Sequence, residues 1–179
     1  KRLRLANPEL ARFQDLILYN LEGGEAVLTD NNDIRIYTDG KAKFRALIEE
    51  MKQAKRYIHL QYYIIRNDEL WQEIEKVLIQ KAREGVQVRV LFDSMGCRTM
   101  KNRDWERLEK EGILVAEFFP ALLGQLQLRV NYRNHRKIVV IDGRIGFVGG
   151  FNVGREYLGR DKKFGYWRDT HLCIEGAAV

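Results

Sequence analysis

Residues 134–152 have the sequence NHRKIVVIDGRIGFVGGFN, and this stretch decides the predicted fold. Two runs rich in β-branched residues, 136–141 and 145–148, are separated only by Asp142-Gly143-Arg144. An Asp-Gly pair between such runs is a strong signal for a β-hairpin, because both residues tolerate the positive φ angles of tight hairpin turns. We therefore predict an antiparallel hairpin in the last third of the chain.

The chain before this hairpin alternates between β-prone runs and apolar residues at helical spacing. Four runs predict strands, at 34–37, 57–65, 86–92 and 113–119. Three apolar stripes predict helices: Phe44, Leu47, Ile48 and Met51; Leu70, Ile74, Val77 and Leu78; Trp105 and Leu108. A loop through Pro120 and Gly124 follows. Strands joined by such helices favour parallel pairing, so the predicted fold class is α/β, with a mixed, largely parallel sheet flanked by helices.

The length of 179 residues suits one domain over residues 1–179, with a helical lead-in inside residues 1–30. In that lead-in, Asn7-Pro8 predicts the start of a short helix that ends near Gly23-Gly24. The chain starts at Lys1 rather than Met, so we expect a piece of something longer. No apolar run approaches the ~18 residues of a membrane span, and we expect this piece to be soluble.

The formal net charge of +6 favours an anionic partner. Charge alone does not distinguish nucleic acid from an anionic lipid surface, and a mild excess of Lys and Arg is often only a solvated face. The two cysteines, Cys97 and Cys173, lie far apart and outside metal-ligand spacing. Buried free thiols are therefore predicted, and neither a disulfide nor a metal site is.

Polar side chains converge at the open end of the predicted hairpin. A two-residue turn at Asp142-Gly143 would place Lys137 opposite Val148 and His135 opposite Gly150, whereas a longer turn would shift this register. With the short turn, Asn152 shares their face, and the missing side chain of Gly150 leaves room for a ligand. An imidazole, an ammonium and a carboxamide suit a phosphate group, because imidazole can attack phosphorus and the other two can bind its oxygens.

The complete pattern is H-x-K, four residues, D, six residues, G-G-x-N, and it resembles the signature of the phospholipase D superfamily. The surrounding sequence resembles bacterial cardiolipin synthases more closely. The stretches that carry this resemblance are 59–63, 92–96, 131–137, 149–154 and 161–171. It implies the N-terminal catalytic half of an enzyme with two such His-Lys-Asp motifs, working through a phosphohistidine intermediate without a metal or other cofactor.

The resemblance also implies a role for each matching residue. His135 would be the nucleophile, and Lys137 and Asn152 would bind the phosphoryl oxygens. Asp142, the acidic member of the catalytic motif, would hold the hairpin. Asp169 would orient the imidazole of His135, as the third member of a catalytic triad does. The alternative for Asp169 is a surface ion pair with Arg168 or Lys163.

Four further residues are candidates for lining the substrate pocket. They are Gln61 and Tyr63, near the end of a predicted buried strand, and Gly149 and Gly150. For Gln61 and Tyr63, packing in the core or at the sheet edge is an equal alternative. The remaining histidines, His59 and His171, are explained by strand packing alone.

The function implied is transfer of a phosphatidyl group between two phosphatidylglycerol molecules, which gives cardiolipin and glycerol. The expected partners are this anionic lipid, a membrane surface, and a second motif from the missing half or from a homodimer mate; nucleic acid is not expected. The parent protein would reside at the bacterial cell membrane. The alternatives are another phospholipase D-type phosphodiesterase, such as a phospholipase or nuclease, or an inactive fragment. With one motif, the isolated chain should be weakly active at most.

Overall fold

Seven strands form one mixed sheet, and the computed structural model describes residues 7–120 and 132–179. The elements in chain order are a 3-10 turn at Pro8–Phe13, α1 at Gln14–Gly24, β1 at Asn32–Asp39, α2 at Gly40–Gln53, β2 at Tyr57–Tyr62, α3 at Glu69–Arg83, β3 at Gln87–Asp93, α4 at Asn102–Lys110, β4 at Leu114–Phe118, β5 at Ile138–Ile141, β6 at Ile145–Gly149, a 3-10 turn at Arg155–Leu158 and β7 at Arg168–Gly176. Every strand and helix predicted before the hairpin is present.

The strand order is β1-β7-β6-β5-β2-β3-β4. Strands β2, β3 and β4 pair in parallel, whereas the other four neighbouring pairs are antiparallel. The mixed α/β class is therefore confirmed, although the parallel part is smaller than predicted. The reason is that the β5–β6 hairpin is followed by β7, which returns along β6 and pairs with β1 at the sheet edge.

Two helices begin at aspartate caps and pack on the sheet through their apolar stripes. The side chain of Asp39 accepts from the backbone N–H of Ala42, and that of Asp68 accepts from Leu70 and Trp71. Such caps satisfy N–H groups that have no partner within the helix. The stripes predicted on α2 and α3 are buried.

The two faces of the sheet differ in exposure. On the face that the helices cover, alternate residues such as Leu60, Val90, Val139 and Phe147 are fully buried. The ring of Trp105 on α4 stacks at 4.0 Å on Phe92 of β3. On the opposite face, side chains from several strands stay exposed, namely Ile34, Ile36, Leu114 and Val148.

The hairpin itself is confirmed, but its predicted register was wrong by one residue. Ile141 pairs with Ile145 rather than with Arg144, and Ile138 pairs with Val148. The turn therefore contains three residues, because Arg144 donates its N–H back to the carbonyl of Ile141 instead of joining the strand pairing. As a consequence, the residue opposite Lys137 is Gly149, whose N–H points at the Lys137 carbonyl.

The N-terminal lead-in is helical and ends at Gly24, near the predicted boundary, and none of its described residues is buried. Residues 1–6 of the lead-in, Gly124 of the predicted loop and Asn131 of the resembling stretch lie outside the described residues. Within the described ranges, no helix has the length and apolar character needed to cross a membrane.

Candidate active site

The polar residues singled out in the sequence meet at one edge of the sheet. Tyr63 follows β2, and Asp93 ends β3 at the same edge. Because β5 runs antiparallel to β2, it begins there, directly after Lys137. Strand β7 runs antiparallel to β6, so Gly149 at the end of β6 pairs with His171 near the start of β7, two residues after Asp169. The topology thus gathers the ends of five strands around one small region.

His135 stands at the centre of this region with an exposed side chain. Its ring centroid lies 4.5 Å from that of Tyr63, with the planes tilted by 47°. The Nζ atom of Lys137 is 3.0 Å from Nδ1 and 3.2 Å from Nε2. Partial burial and the charge of Lys137 lower the pKa of His135, and Asp93 opposes this by raising it. The imidazole is therefore mainly neutral at pH 7, as a nucleophile must be.

Lys137 approaches His135 from within the protein. Its side chain is buried, and Nζ donates to the backbone carbonyl of His135 at 2.7 Å. Burial lowers the pKa of Lys137 to about 8, and the carboxylate of Asp169 opposes the shift. At pH 7 about nine-tenths of the Lys137 side chains still carry a proton. A positive charge therefore lies directly beside the ring of His135.

Asp93 is a site residue that the sequence reasoning missed. Its carboxylate is fully buried, and Oδ1 accepts from the N–H groups of Met95 and Gly96. Oδ2 accepts at 3.0 Å from the N–H of Asn134, the residue before His135. The available signal was its position, since an acidic residue directly after a buried strand of a parallel pair faces the site edge.

Gln61 acts on the same segment from β2. Its Nε2 donates at 2.8 Å to Oδ1 of Asn134, which also accepts from the N–H of Arg136 at 3.4 Å. Together, Gln61 and Asp93 hold the backbone on both sides of His135. Gln61 thus supports the segment that carries His135, and its part in lining a substrate pocket stays a prediction.

Asn152 is buried with its carboxamide engaged in the protein. Oδ1 accepts from the N–H of Ile64 at 3.0 Å, and Nδ2 donates to the hydroxyl of Tyr157 at 3.0 Å. Nδ2 carries a second hydrogen, so binding of a phosphoryl oxygen by Asn152 stays a prediction.

Gly149 and Gly150 allow β7 to approach closely. A Cβ atom on Gly149 would overlap the carbonyl of Thr170, and one on Gly150 would overlap the carboxylate of Asp169. The expectation that Gly150 leaves room for a ligand is therefore corrected, because Asp169 occupies that space. The glycine pair instead lets a carboxylate reach the site.

Asp169 lies at Gly150 with its Oδ1 accepting from the N–H of Thr170 at 2.7 Å. Its electrostatic partner in the site is Lys137, whose pKa it raises. In the described part of the chain, Asp169 shows neither a hydrogen bond to His135 nor an ion pair with Arg168 or Lys163. Orientation of His135 by Asp169 thus stays a prediction, and the geometry favours an effect through Lys137.

Asp142 lies at the far end of the hairpin from His135, where it ties the turn to β2. Its carboxylate accepts from the N–H groups of Lys55, Arg56 and Tyr57 at 2.8–2.9 Å. Burial raises the pKa of Asp142, but these three hydrogen bonds outweigh it, so the pKa is lowered overall. These hydrogen bonds tie the turn to the start of β2, and the role of Asp142 in the catalytic motif stays a prediction.

The other two histidines lie away from this arrangement. His171 is fully buried on β7, and burial followed by the charges of Lys43 and Lys137 lowers its pKa to about 2. His59 stacks on Tyr57, with ring centroids 4.5 Å apart. Among the residues that the structure describes, no three His, Cys, Asp or Glu side chains are grouped to hold a metal ion.

Comparison of the sequence with known proteins places this chain in a family. The sequence model described as "Cardiolipin synthase, PLD-like domain" matches residues 47–165. A cardiolipin synthase of Oceanobacillus iheyensis is 52% identical over 172 residues, which are 96% of this chain and 36% of the relative. The major cardiolipin synthase ClsA of Bacillus subtilis is 52% identical over 179 residues, 100% of this chain and 37% of the relative.

Among solved structures, the phospholipase D family member Nuc from Salmonella typhimurium has a similar fold. Its TM-score is 0.58 at 17% identity, and the match covers 82% of this chain and 85% of Nuc. The chain spans little more than a third of the length of the two cardiolipin synthases.

Proposed function

Because this chain belongs to the phospholipase D-like domain family of cardiolipin synthases, we propose that it is one catalytic half of an enzyme that joins two phosphatidylglycerol molecules. The products are cardiolipin and glycerol. The observation that carries the proposal is the exposed imidazole of His135, with the Nζ atom of Lys137 3.0 Å from its Nδ1. Relatives named cardiolipin synthase, at about half identity over nearly the whole chain, support this substrate class.

In the first step, a ring nitrogen of His135 attacks the phosphorus of one phosphatidylglycerol. A nitrogen–phosphorus bond forms, the bond from phosphorus to the glycerol oxygen breaks, and glycerol leaves after its oxygen gains a proton. Lys137 stabilises the negative charge on the phosphoryl oxygens as the transition state forms. The structural support for this step is a neutral nucleophile beside a mainly protonated ammonium.

In the second step, a hydroxyl of another phosphatidylglycerol attacks the phosphohistidine. Its oxygen forms the new bond to phosphorus, its proton passes to the base that acted before as an acid, and His135 is released. Formation and breakdown of a covalent intermediate divide one difficult displacement into two easier ones.

We expect the acid that protonates glycerol to come from outside the described residues, because neither of the other two histidines suits this role. His171 is buried with a pKa of about 2, and therefore holds no second proton to donate at neutral pH. Gln61 pairs with Ile138, so Tyr62 lies opposite Lys137 and shares its buried face of the sheet. His59 lies on the other face, because side chains three residues apart on a strand point to opposite faces. We infer that a second motif, from the rest of a longer enzyme at the bacterial membrane or from a second copy, supplies the acid.

Product analysis tests this function. Phosphatidylglycerol labelled in the phosphate should yield labelled cardiolipin with the complete enzyme, and His135→Ala should lower the rate by roughly three orders of magnitude or more. This chain alone should form almost none, and addition of the remaining half should restore the product. Near-normal transfer by the His135→Ala enzyme, or digestion of nucleic acid in place of lipid transfer, would contradict the proposal.

A further inference from the structure

Exposed aromatic side chains are concentrated at the edge of the sheet that carries His135. Among the described residues, five large aromatic side chains are exposed, and two of them, Phe13 and Tyr19, belong to the N-terminal lead-in. The other three are Tyr132 at 62%, Phe164 at 53% and Tyr166 at 67% exposure. They lie in two segments of the chain that are about thirty residues apart.

The topology brings these two segments to the same edge. Tyr132 precedes β5, whereas Phe164 and Tyr166 precede β7. Strands β5 and β7 both run antiparallel to β6, so they begin at the same edge. The turns at the opposite edge, 54–56, 84–86, 111–113 and 142–144, contain no aromatic residue. Apart from the two in the N-terminal lead-in, the exposed aromatic side chains of the described residues therefore share the active-site edge.

Basic residues accompany the aromatics at this edge. Residues 160–168 contain four basic side chains and one carboxylate, Asp161. Lys162, Lys163 and Arg168 are exposed, and Asp161 lies 3.9 Å from Arg155, which partly neutralises it. Arg160 lies 3.6 Å from Glu69, so the net positive charge of this loop comes mainly from Lys162, Lys163 and Arg168.

The aromatic rings near Tyr132 form a defined cluster beside the nucleophile. The ring of Tyr132 lies 6.5 Å from Phe118 and 5.9 Å from Phe119. Phe119 has a φ of 54°, which a bulky residue adopts only when its surroundings require it. A cavity of about 310 Å³ between Tyr132, Arg136 and His135 opens next to this cluster.

We propose that this edge of the sheet binds the surface of an anionic phospholipid bilayer. The docking edge consists of Tyr132, Arg136 and residues 160–168. Tyrosine is favoured at the boundary between headgroups and acyl chains, since its ring is apolar and its hydroxyl is polar. Lysine and arginine are attracted to an anionic leaflet. Binding at this edge would present His135 directly to the headgroup phosphates.

The inference rests on the proposed function, because a lipid substrate makes a bilayer the relevant surface. Its test does not depend on turnover, so the two can fail separately. The purified chain is mixed with vesicles of phosphatidylglycerol or of phosphatidylcholine, and the bound fraction is measured by sedimentation. We expect binding to phosphatidylglycerol vesicles that weakens with salt and exceeds binding to phosphatidylcholine. His135→Ala should bind equally well, although it forms no covalent phosphate.

Two double variants remove the features of the docking edge. Lys162→Glu with Lys163→Glu should weaken partitioning at least about twentyfold, because each basic residue contributes roughly fivefold at an anionic surface. Tyr132→Ser with Tyr166→Ser should weaken it about fivefold or more through loss of apolar area. All four residues are exposed, so the urea midpoint of unfolding should stay unchanged.

Matched variants elsewhere complete the test. Lys76→Glu with Lys110→Glu reverses two exposed charges on α3 and α4, and Ile36→Ser with Leu114→Ser removes two exposed apolar side chains from the sheet face. Both should bind vesicles almost as the unaltered chain does. A further pair in α1, Leu16→Ser with Tyr19→Ser, should have a small effect.

Four results would overturn the proposal. The first three are a failure of the unaltered chain to bind phosphatidylglycerol vesicles, equal losses for the docking-edge variants and their matched controls, and a loss of binding only in the α1 variant. The fourth result is that the docking-edge variants bind vesicles normally but no longer self-associate or bind the remaining half. The docking edge would then be a protein interface, which contradicts the proposal.

Discussion

The Nζ atom of Lys137 lies 3.0 Å from Nδ1 and 3.2 Å from Nε2 of His135, and it also donates to the His135 carbonyl at 2.7 Å. This one buried ammonium therefore contacts both the ring and the backbone of the nucleophile. Together with partial burial, this contact lowers the pKa of His135, and it places a positive charge beside the ring.

Removal of that charge should raise the pKa of His135. In Lys137→Met the positive neighbour that lowers the pKa is absent, so His135 should titrate at higher pH, whereas Lys137→Arg keeps the charge and should change it less. The chain has three histidines, which makes NMR titration of the ring signals simple to assign. An unchanged pKa in Lys137→Met would show that the two groups are not neighbours in solution.

The opposite change is expected when Asp93 loses its charge. Its carboxylate raises the pKa of His135, so Asp93→Asn should lower it. The amide oxygen of Asn can still accept from Asn134, which limits the structural damage. Glu117→Gln, a change of the same kind on the neighbouring strand β4, is the control and should leave the His135 titration in place. Equal effects of both variants would refute a specific role for Asp93.

Asp93 also shows which part of the site could not be predicted from the sequence. The succession of strands and helices and the hairpin follow from local patterns such as the Asp142-Gly143 turn, and His135 follows from a motif within one hairpin. The role of Asp93 depends on a hydrogen bond to Asn134, 41 residues later, which no local pattern indicates. The same holds for the carboxylate of Asp169 beside Gly150.

The predicted register of the hairpin was wrong for a different physical reason. A two-residue and a three-residue turn fit the same Asp142-Gly143-Arg144 segment, and one residue of difference moves every side chain to a new partner. The choice depends on tertiary bonds from Asp142 to β2, which hold the turn in its longer form.

Loss of the Asp169 charge should change the pH dependence of the complete enzyme. Asp169 raises the pKa of Lys137, so Asp169→Asn should lower that pKa from about 8 and reduce the protonated fraction at pH 7. The alkaline limb of the rate profile should then move to lower pH while the fold is retained. Asp33→Asn, which alters an exposed carboxylate on β1 away from the site and the docking edge, provides the comparison. A profile unchanged by Asp169→Asn would favour a purely structural aspartate.

Replacement of Asp142 should lower stability rather than act on chemistry. Asp142→Ala removes three charge-assisted hydrogen bonds, and we expect a loss of about 2–4 kcal/mol in the free energy of unfolding, measured with urea. Because the folded-state pKa of Asp142 is lowered, its contribution is present above the unfolded pKa and is lost as the pH falls through the folded pKa. Asp33→Ala, at an exposed position, should cost far less. Similar losses for both would contradict the tie between turn and β2.

The central claim is that His135 attacks phosphorus and that this chain lacks only the acid for the leaving group. A phosphatidyl ester of p-nitrophenol tests it directly, because this leaving group departs without a proton. Given the ester in mixed micelles, the isolated chain should release one p-nitrophenol per chain in a burst and carry a phosphatidyl group on the peptide with residue 135. His135→Ala should give no burst and His59→Ala a full one, and phosphatidylglycerol should leave the peptide with residue 135 unmodified. No burst from the unaltered chain, or an equal burst from His135→Ala, would contradict the account.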